Sequence, residues 1–158
     1  MSDMVRSSYM ERLPYIDEHS TCVSATREQT WVALMALGGA MRGAPGPLGW
    51  LMGLQPALVS GDWSGGVDAG ATLPGFVVEQ ACPPSRLALS GRHRFSRYAL
   101  VFELEAMGPD GTQVRARSYG AFPGVHGRSY RTLVVGSGAH RMVVRRLLRR
   151  IEGRACSA

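Results

Sequence analysis

Residues 76–122 read FVVEQACPPSRLALSGRHRFSRYALVFELEAMGPDGTQVRARSYGAF, and this stretch decides the fold. Apolar and polar side chains alternate along most of it, as they do in strands whose two faces meet different surroundings. Turn signals interrupt the alternation at Pro83-Pro84, at Phe95 and Ser96, and at residues 107–111. The stretch therefore predicts four consecutive antiparallel strands.

The positions of these turns predict which residues lie opposite one another. On one face the expected pairs are mainly apolar: Val78–Leu89, Gln80–Leu87, Leu87–Leu104, Leu89–Phe102, His93–Tyr98, Leu100–Ser118, Phe102–Ala116 and Leu104–Val114. On the other face the expected pairs carry most of the charge: Arg86–Glu105, Ala88–Glu103 and Glu103–Arg115. One apolar and one charged face are typical of a sheet that covers a core on one side and meets water on the other.

The segments on either side of this meander predict the remaining elements. A weak alternation over residues 15–24 predicts a strand, and Thr26 with Gln29 forms the T-x-x-Q capping box that begins a helix. After the meander, apolar residues recur near helical spacing up to Ile151. The Gly-Ser-Gly sequence at 136–138 is expected to kink this segment, or to divide a short helix from a longer one that begins near Ala139.

Length and composition limit the class of protein. The chain has 158 residues, enough for one domain, and its 45% apolar content excludes a disordered chain. We expect a loose lead-in over 1–14, a single domain over 15–153 and a tail over 154–158. Residues 42–75 are dense in Gly and Pro and are expected to form either a functional segment or a plain connector.

Charge and cysteine content give few clues to the partner. The net charge is +6, with no Lys and no Asn, which indicates a GC-rich genome of the kind common in bacteria. The three cysteines form no CxxC pair, so neither a zinc knuckle nor a redox motif is indicated. The first residues contain no apolar leader, and no apolar run is long enough to span a bilayer. We expect a cytoplasmic protein without a transmembrane segment.

Polar residues on the expected inner face are the candidates for chemistry. His93 and Tyr98 are expected to be cross-strand neighbours, with Ser118 one strand further on. His93 could transfer a proton near neutral pH and Tyr98 could orient a ligand oxygen, so these two are the catalytic candidates. Alternatively, they satisfy each other at the edge of the sheet. No Asp or Glu is expected to face inward to tune His93, which argues against an acid–base pair.

Two further features of the inner face and the last segment are open to alternatives. Small inward residues either leave room for a cavity or let a neighbouring element approach closely: Gly91, Ala116, Ser118 and Gly120. His140 follows the glycine hinge and could face the cavity or cap the second helix, and capping is the interpretation we favour. The four histidines lack metal-ligand spacing, so we expect no metal and no cofactor.

The order of elements resembles a known superfamily. The residues that carry the resemblance are STCVSATREQTW, GATLPGFVVEQACPPSRLALSG and GRSYRTLVVGSGAHRMVVRRLLRRIE, within residues 15–153. In this order and spacing the chain resembles the START-related, polyketide cyclase-like superfamily (SRPBCC). The resemblance implies an α+β helix-grip fold, in which a curved antiparallel sheet wraps around a long C-terminal helix. It is weakest over residues 42–75.

The resemblance also implies a hydrophobic cavity between the sheet and that helix. Members of the superfamily bind lipids, sterols, polyketides or other apolar small molecules, and some catalyse cyclisation or dehydration. The residues expected to bind such a ligand are Trp31, Trp50, Trp63, Phe76, Leu89, His93, Tyr98, Leu100, Phe102, Ser118, Tyr130 and His140. We therefore expect a binding or carrier protein for an apolar or amphipathic small molecule, with a homodimer possible.

Two other functions remain as alternatives. The first is a cyclase- or dehydratase-type enzyme that acts on such a ligand through His93 and Tyr98. The second is a protein that binds anionic partners through the arginines that crowd the last helix: Arg145, Arg146, Arg149, Arg150 and Arg154. These side chains are expected mainly to flank the apolar stripe with their guanidinium groups in water. Nucleic acid is not the expected partner, because the basic aromatic platform that binds single strands is missing.

Overall fold

The part of the chain that the structure describes folds as a six-stranded antiparallel sheet covered on one face by helices. The computed structural model describes residues 12–40, 53, 55–56 and 58–157. The strands are β1 (Tyr15–Val23), β2 (Thr72–Leu73), β3 (Phe76–Cys82), β4 (Arg86–His93), β5 (Ser96–Ala106) and β6 (Thr112–Ala121). Their order across the sheet is β1-β6-β5-β4-β3-β2. This curved sheet with a C-terminal helix confirms the α+β helix-grip architecture.

The helices lie before and after the meander. They are α1 (Arg27–Ala40), α2 (Gly124–Arg131) and α3 (Ala139–Ala155), and a π-helical turn (Thr132–Gly136) joins the last two. The predicted capping box begins α1: the Thr26 amide donates to Gln29 Oε1 at 3.0 Å, and the Gln29 amide donates to Thr26 Oγ1 at 3.2 Å. Gly138, with φ of 78°, starts α3 where the glycine hinge was predicted.

The predicted register is confirmed between β5 and β6. Leu104 faces Val114 there, and Phe102 faces Ala116. The expected pairs Leu100–Ser118 and Glu103–Arg115 are also present. The turn over residues 107–111 was therefore placed correctly.

The predicted register between β4 and β5 is wrong. Leu89 faces Leu100 instead of Phe102, and the other pairs shift in the same direction: Leu87–Phe102, His93–Ser96, Gly91–Tyr98, Arg86–Glu103 and Ala88–Val101. The cause is the position of the turn, which lies at Arg94 and Phe95. A slip of two residues preserves the face of every side chain, because successive side chains alternate between faces.

A bulge changes the pairing of β3. Val78 faces Leu89 as predicted, but Gln80 faces Ala88 instead of Leu87. The irregularity lies between Val78 and Gln80, where β3 gains one residue relative to β4. As a result Ala81, and not Gln80, lies opposite Leu87 and packs against the core.

The main core lies between the inner face of the sheet and the two long helices. Phe102 and Leu87 from the sheet are 1% exposed, and Ile151 of α3 is fully buried. The helix α3 packs against both α1 and β1. The arginines of α3 point away from this core: Arg145, Arg146, Arg149, Arg150 and Arg154 are exposed. No described helix is long and apolar enough to cross a membrane.

The outer face of the sheet carries ion pairs, with one apolar exception. Arg86 contacts Glu103 at 2.7 Å, and Arg117 contacts Glu18 at 2.6 Å. A second small cluster is nevertheless buried on this face, formed by Ala88, Ala99 and Val101 with Leu13 and Tyr119 packed against it. The outer face is thus only partly wet.

Gly91 tests the sheet geometry. A Cβ at this position would overlap the carbonyl oxygen of Gly75 and lie 2.5 Å from the Tyr98 ring. We expect Gly91→Ala to lower the free energy of unfolding by about 1–3 kcal/mol, the usual cost of overpacking. Urea unfolding measures it. A Cβ at Gly153 of α3 meets no atom within 4 Å, so the control Gly153→Ala should be neutral or slightly stabilising. Equal stability of Gly91→Ala and the parent chain would contradict this packing.

Candidate functional site

A cavity of about 360 Å³ lies between the inner face of the sheet and the helices. Its lining is mainly apolar and comes from every layer of the fold. The sheet contributes Leu87, Leu89, Leu100 and Phe102, α1 contributes Leu34 and Leu37, and α3 contributes Val143, Val144 and Leu147. A pocket of this size and composition is typical of small-molecule sites.

Most residues predicted to bind a ligand line this cavity: Trp63, Phe76, Leu89, His93, Tyr98, Leu100, Phe102, Ser118, Tyr130 and His140. Trp31 lies elsewhere, buried in the core, with its indole N–H donating to the Gly65 carbonyl at 3.3 Å. Trp50 lies outside the described residues. The binding role of the lining residues stays a prediction.

The small inward residues differ in what surrounds them. At Gly91 the Gly75 backbone and the Tyr98 ring occupy the space, and at Gly120 the side chains of Ile16 and Phe122 do. Ala116 is buried in the core. Among these small residues only Ser118 lines the cavity.

His93 lies at one end of the cavity with both ring nitrogens engaged by the protein. Its Nδ1 accepts from the Phe95 amide at 3.1 Å, so the neutral ring carries its proton on Nε2, which lies 2.9 Å from Ser96 Oγ. The observed register, with its turn at Arg94 and Phe95, places Ser96 opposite His93. Burial lowers the pKa of His93 below its ordinary value.

Tyr98 is also satisfied by the protein. Its hydroxyl donates to the Gly75 carbonyl at 2.8 Å, and burial, with a smaller contribution from Tyr130, raises its pKa. The His93 and Tyr98 rings lie 5.6 Å apart and remain neighbours. They do not satisfy each other as the alternative supposed, because each uses a different partner. Both catalytic candidates therefore lie in the cavity with their polar atoms already bound.

An aromatic group closes this end of the cavity. The ring of Tyr130, from α2, meets that of His93 edge-on with 4.7 Å between centroids. Phe95 and Phe122 lie 6.1 and 6.2 Å from the same ring. Burial raises the pKa of Tyr130 above its ordinary value.

A second polar cluster, formed by His140, Asp17 and His19, connects α3 to β1. His140 Nε2 lies 3.3 Å from Asp17 Oδ1, and His19 Nε2 lies 3.1 Å from Asp17 Oδ2. The favoured prediction that His140 caps its helix is wrong: Gly138 occupies the cap, and among the described residues α3 has no side-chain cap. No three or more of the described His, Cys, Asp and Glu side chains are arranged to hold a metal ion.

Sequence reasoning missed Asp17 as an inward acid. It lies on β1 directly opposite Ser118 of β6, on the face that meets α3. A bulge between Tyr15 and Asp17 alters the register at this point. The alternation of residues 15–24 did predict a strand, but it could not show which strand or helix this carboxylate would meet.

Ser118 is the unsatisfied polar group of the cavity. It is 2% exposed, and its Oγ has no hydrogen-bond partner within the described part of the chain. A buried hydroxyl without a partner costs about 1–3 kcal/mol. Buried side-chain hydroxyls normally have a hydrogen-bond partner, so Ser118 is an exception.

A larger groove of about 520 Å³ lies at another part of the sheet, beside Gln55, Pro56 and Arg92. Exposed polar side chains border it, and Arg92 Nη2 donates to Gln55 Oε1 at 3.1 Å. It is lined by fewer apolar side chains than the inner cavity, so the inner cavity is the better candidate site.

No protein-family model matches this chain, and no curated protein matches it. Solved structures do resemble it. The Zhui aromatase/cyclase from Streptomyces sp. R1128 has a TM-score of 0.56 at 13% identity, covering 88% of this chain and 92% of that one. CalU16 from Micromonospora echinospora has a TM-score of 0.50 at 15% identity, covering 87% and 82%. A conserved protein from Geobacillus kaustophilus has 0.55 at 16%, covering 89% and 94%. At these identities the similarity shows the fold alone, and that fold is the helix-grip architecture.

The lowered pKa of His93 predicts how stability depends on pH. Below about pH 6.5 the unfolded chain binds a proton that the buried ring resists, so His93 contributes stability at higher pH that is lost as the pH falls through the folded pKa. We expect His93→Gln to lose less stability than the parent chain between pH 7.5 and pH 5. Urea unfolding at both pH values measures this. Exposed His126, changed to Gln, is the control for loss of a histidine. Identical losses in His93→Gln and the parent chain would contradict the prediction.

Proposed function

We propose that this protein binds an apolar or amphipathic small molecule in the cavity between the sheet and α3, as a binding or carrier protein. The observation that carries the proposal is the cavity itself, about 360 Å³ of space with apolar residues from the sheet, α1 and α3 around it. Protein interiors are normally packed as densely as organic crystals, so an apolar space of this size between sheet and helices supports a place for a ligand.

The size and lining of the cavity favour a compact ligand. Its volume lies near the lower end of the range of about 300–1,000 Å³ for drug-sized ligands. The rings of Trp63, Phe76, Phe102 and Tyr130 line it, and flat aromatic walls suit a ring system. A diacyl lipid is too large for it. A small polycyclic or sterol-like molecule is the better match.

The shared fold supports this proposal by analogy. The Zhui protein, an aromatase/cyclase, has the same arrangement of sheet and C-terminal helix. On this basis we infer that the chain belongs to the START-related, polyketide cyclase-like superfamily. A fold alone does not fix a reaction, so the choice between carrier and enzyme rests on the cavity residues.

These residues favour binding over the predicted catalytic pair. His93 donates and accepts within its own turn, and Tyr98 donates to a backbone carbonyl. A general acid or base must reach the proton it transfers, and here the relevant atoms already have partners. A cyclase or dehydratase that uses these two residues would first have to break their hydrogen bonds.

Binding can be tested with N-phenyl-1-naphthylamine, a neutral probe whose fluorescence rises in apolar surroundings. We expect saturable binding to the purified chain, and at least tenfold weaker binding by Leu147→Trp, because Leu147 lines the cavity and a larger ring would fill it. Met142, on the same helix, is 67% exposed and is not a lining residue, so Met142→Trp is the matched control.

Thermal melts should confirm that both variants are folded. Absence of saturable binding, or equal affinity in Leu147→Trp and Met142→Trp, would contradict the cavity as the binding site. Native mass spectrometry of the freshly purified chain would add a direct check for a retained small molecule.

A further inference from the structure

We propose that Ser118 and His140, with Asp17 behind His140, form a hydrogen-bonding end of the cavity that selects ligands carrying a hydroxyl group on an apolar ring system. This inference rests on the proposed function and names the chemical class of ligand for the same site. Some polar atoms in the cavity have hydrogen-bond partners within the protein, and others have none in the described part of the chain.

The Ser118 hydroxyl is available to a ligand. Ser118 lines the cavity and is almost fully buried, yet its Oγ has no partner among the described residues. A hydroxyl offers one donor and two acceptor sites. A ligand atom in the cavity would complete this bonding and offset the cost of burying the hydroxyl.

The contact with Asp17 determines which ring nitrogen of His140 carries the proton. Its Nε2 faces Asp17 Oδ1 at 3.3 Å, and an ionised carboxylate can only accept hydrogen bonds. Nε2 therefore carries the proton of the neutral ring, and Nδ1 is left as an acceptor. In the described part of the chain no group donates to Nδ1, while the His140 ring lines the cavity.

Ser118 and His140 are both positioned by their relation to Asp17. Asp17 and Ser118 are directly opposite residues of β1 and β6 on the inner face, where Cβ atoms lie about 4.5–5.5 Å apart. His140 reaches Asp17 from the first turn of α3. His19 holds the other oxygen of Asp17 at 3.1 Å and so fixes the carboxylate that orients His140. Ser118 and His140 therefore both neighbour Asp17, and both line the cavity.

These atoms together fit a hydroxyl group better than other small polar groups. A ligand hydroxyl can donate to His140 Nδ1 and accept from the Ser118 hydroxyl at the same time. A carbonyl could accept from Ser118 but would leave Nδ1 without a donor. A carboxylate would lie close to the carboxylate of Asp17, and two like charges at close range repel each other.

Naphthalene and 2-naphthol form a matched pair of probes, since they differ only by the hydroxyl. Near pH 7.5 we expect 2-naphthol to bind the purified chain about tenfold more tightly than naphthalene, the ratio that corresponds to one satisfied hydrogen bond. Fluorescence titration measures both affinities. In Ser118→Ala and His140→Leu the ratio of the two affinities should fall towards one.

A matched control and a second readout separate selection from a structural role. Ser129 is exposed on α2, and Ser129→Ala should leave the ratio unchanged. The melting temperature of the unliganded Ser118→Ala chain should be unchanged or higher, because the substitution removes an unsatisfied buried hydroxyl.

The outcomes distinguish this inference from the proposed function. Equal affinity of the parent chain for the two probes, or an unchanged ratio in Ser118→Ala, would overturn hydroxyl selection and leave apolar binding in place. Failure of both probes to bind would contradict the proposed function and this inference together.

Discussion

The structure depends on the burial of one face of an antiparallel sheet beneath α3. Phe102 and Leu87 on that face and Ile151 on the helix are almost completely hidden from water, and each side chain of this size contributes about 1.5–3 kcal/mol through burial. The contact is not continuous, however. Tyr130 and its aromatic neighbours close one end, and the Asp17–His140 contact joins helix and sheet at another point. The cavity lies within this incomplete contact, so the same packing that stabilises the fold also creates the site.

The polar groups of the cavity fall into two classes. His93 and Tyr98 have hydrogen-bond partners within the protein, so they add few free donors or acceptors to the cavity. Ser118 has no partner in the described residues, and His140 offers an acceptor nitrogen. Unsatisfied polar atoms in an apolar cavity lower the stability of the unliganded protein, but they raise its affinity for a ligand that forms hydrogen bonds with them. This asymmetry makes the β1 side of the cavity the place where a ligand would be recognised.

The sequence predicted the order of the elements and the face of each strand residue better than the exact pairing of the strands. The face of each residue depends only on alternation. The predicted faces are therefore correct although the predicted register between β4 and β5 is wrong, since Leu89 pairs with Leu100. The turn itself lacks a Gly, Pro or Asn that would fix its position, which is why the error occurred. The bulge before Gln80 had no signal either. By contrast, the Thr26 capping box involves only neighbouring residues and was predicted correctly.

The candidate site was predictable where it follows from alternation and not where it depends on distant contacts. Leu89, Leu100 and Phe102 line the cavity because they share a face of the sheet. Asp17 and His140 are separated by 123 positions, and their contact requires both the bulge in β1 and the left-handed Gly138 that starts α3. The glycine hinge was predicted from the sequence, but the bulge in β1 has no signal in the pattern of apolar and polar residues. Irregular backbone at these two points places the carboxylate and the imidazole together, and regular elements supply the apolar walls around them.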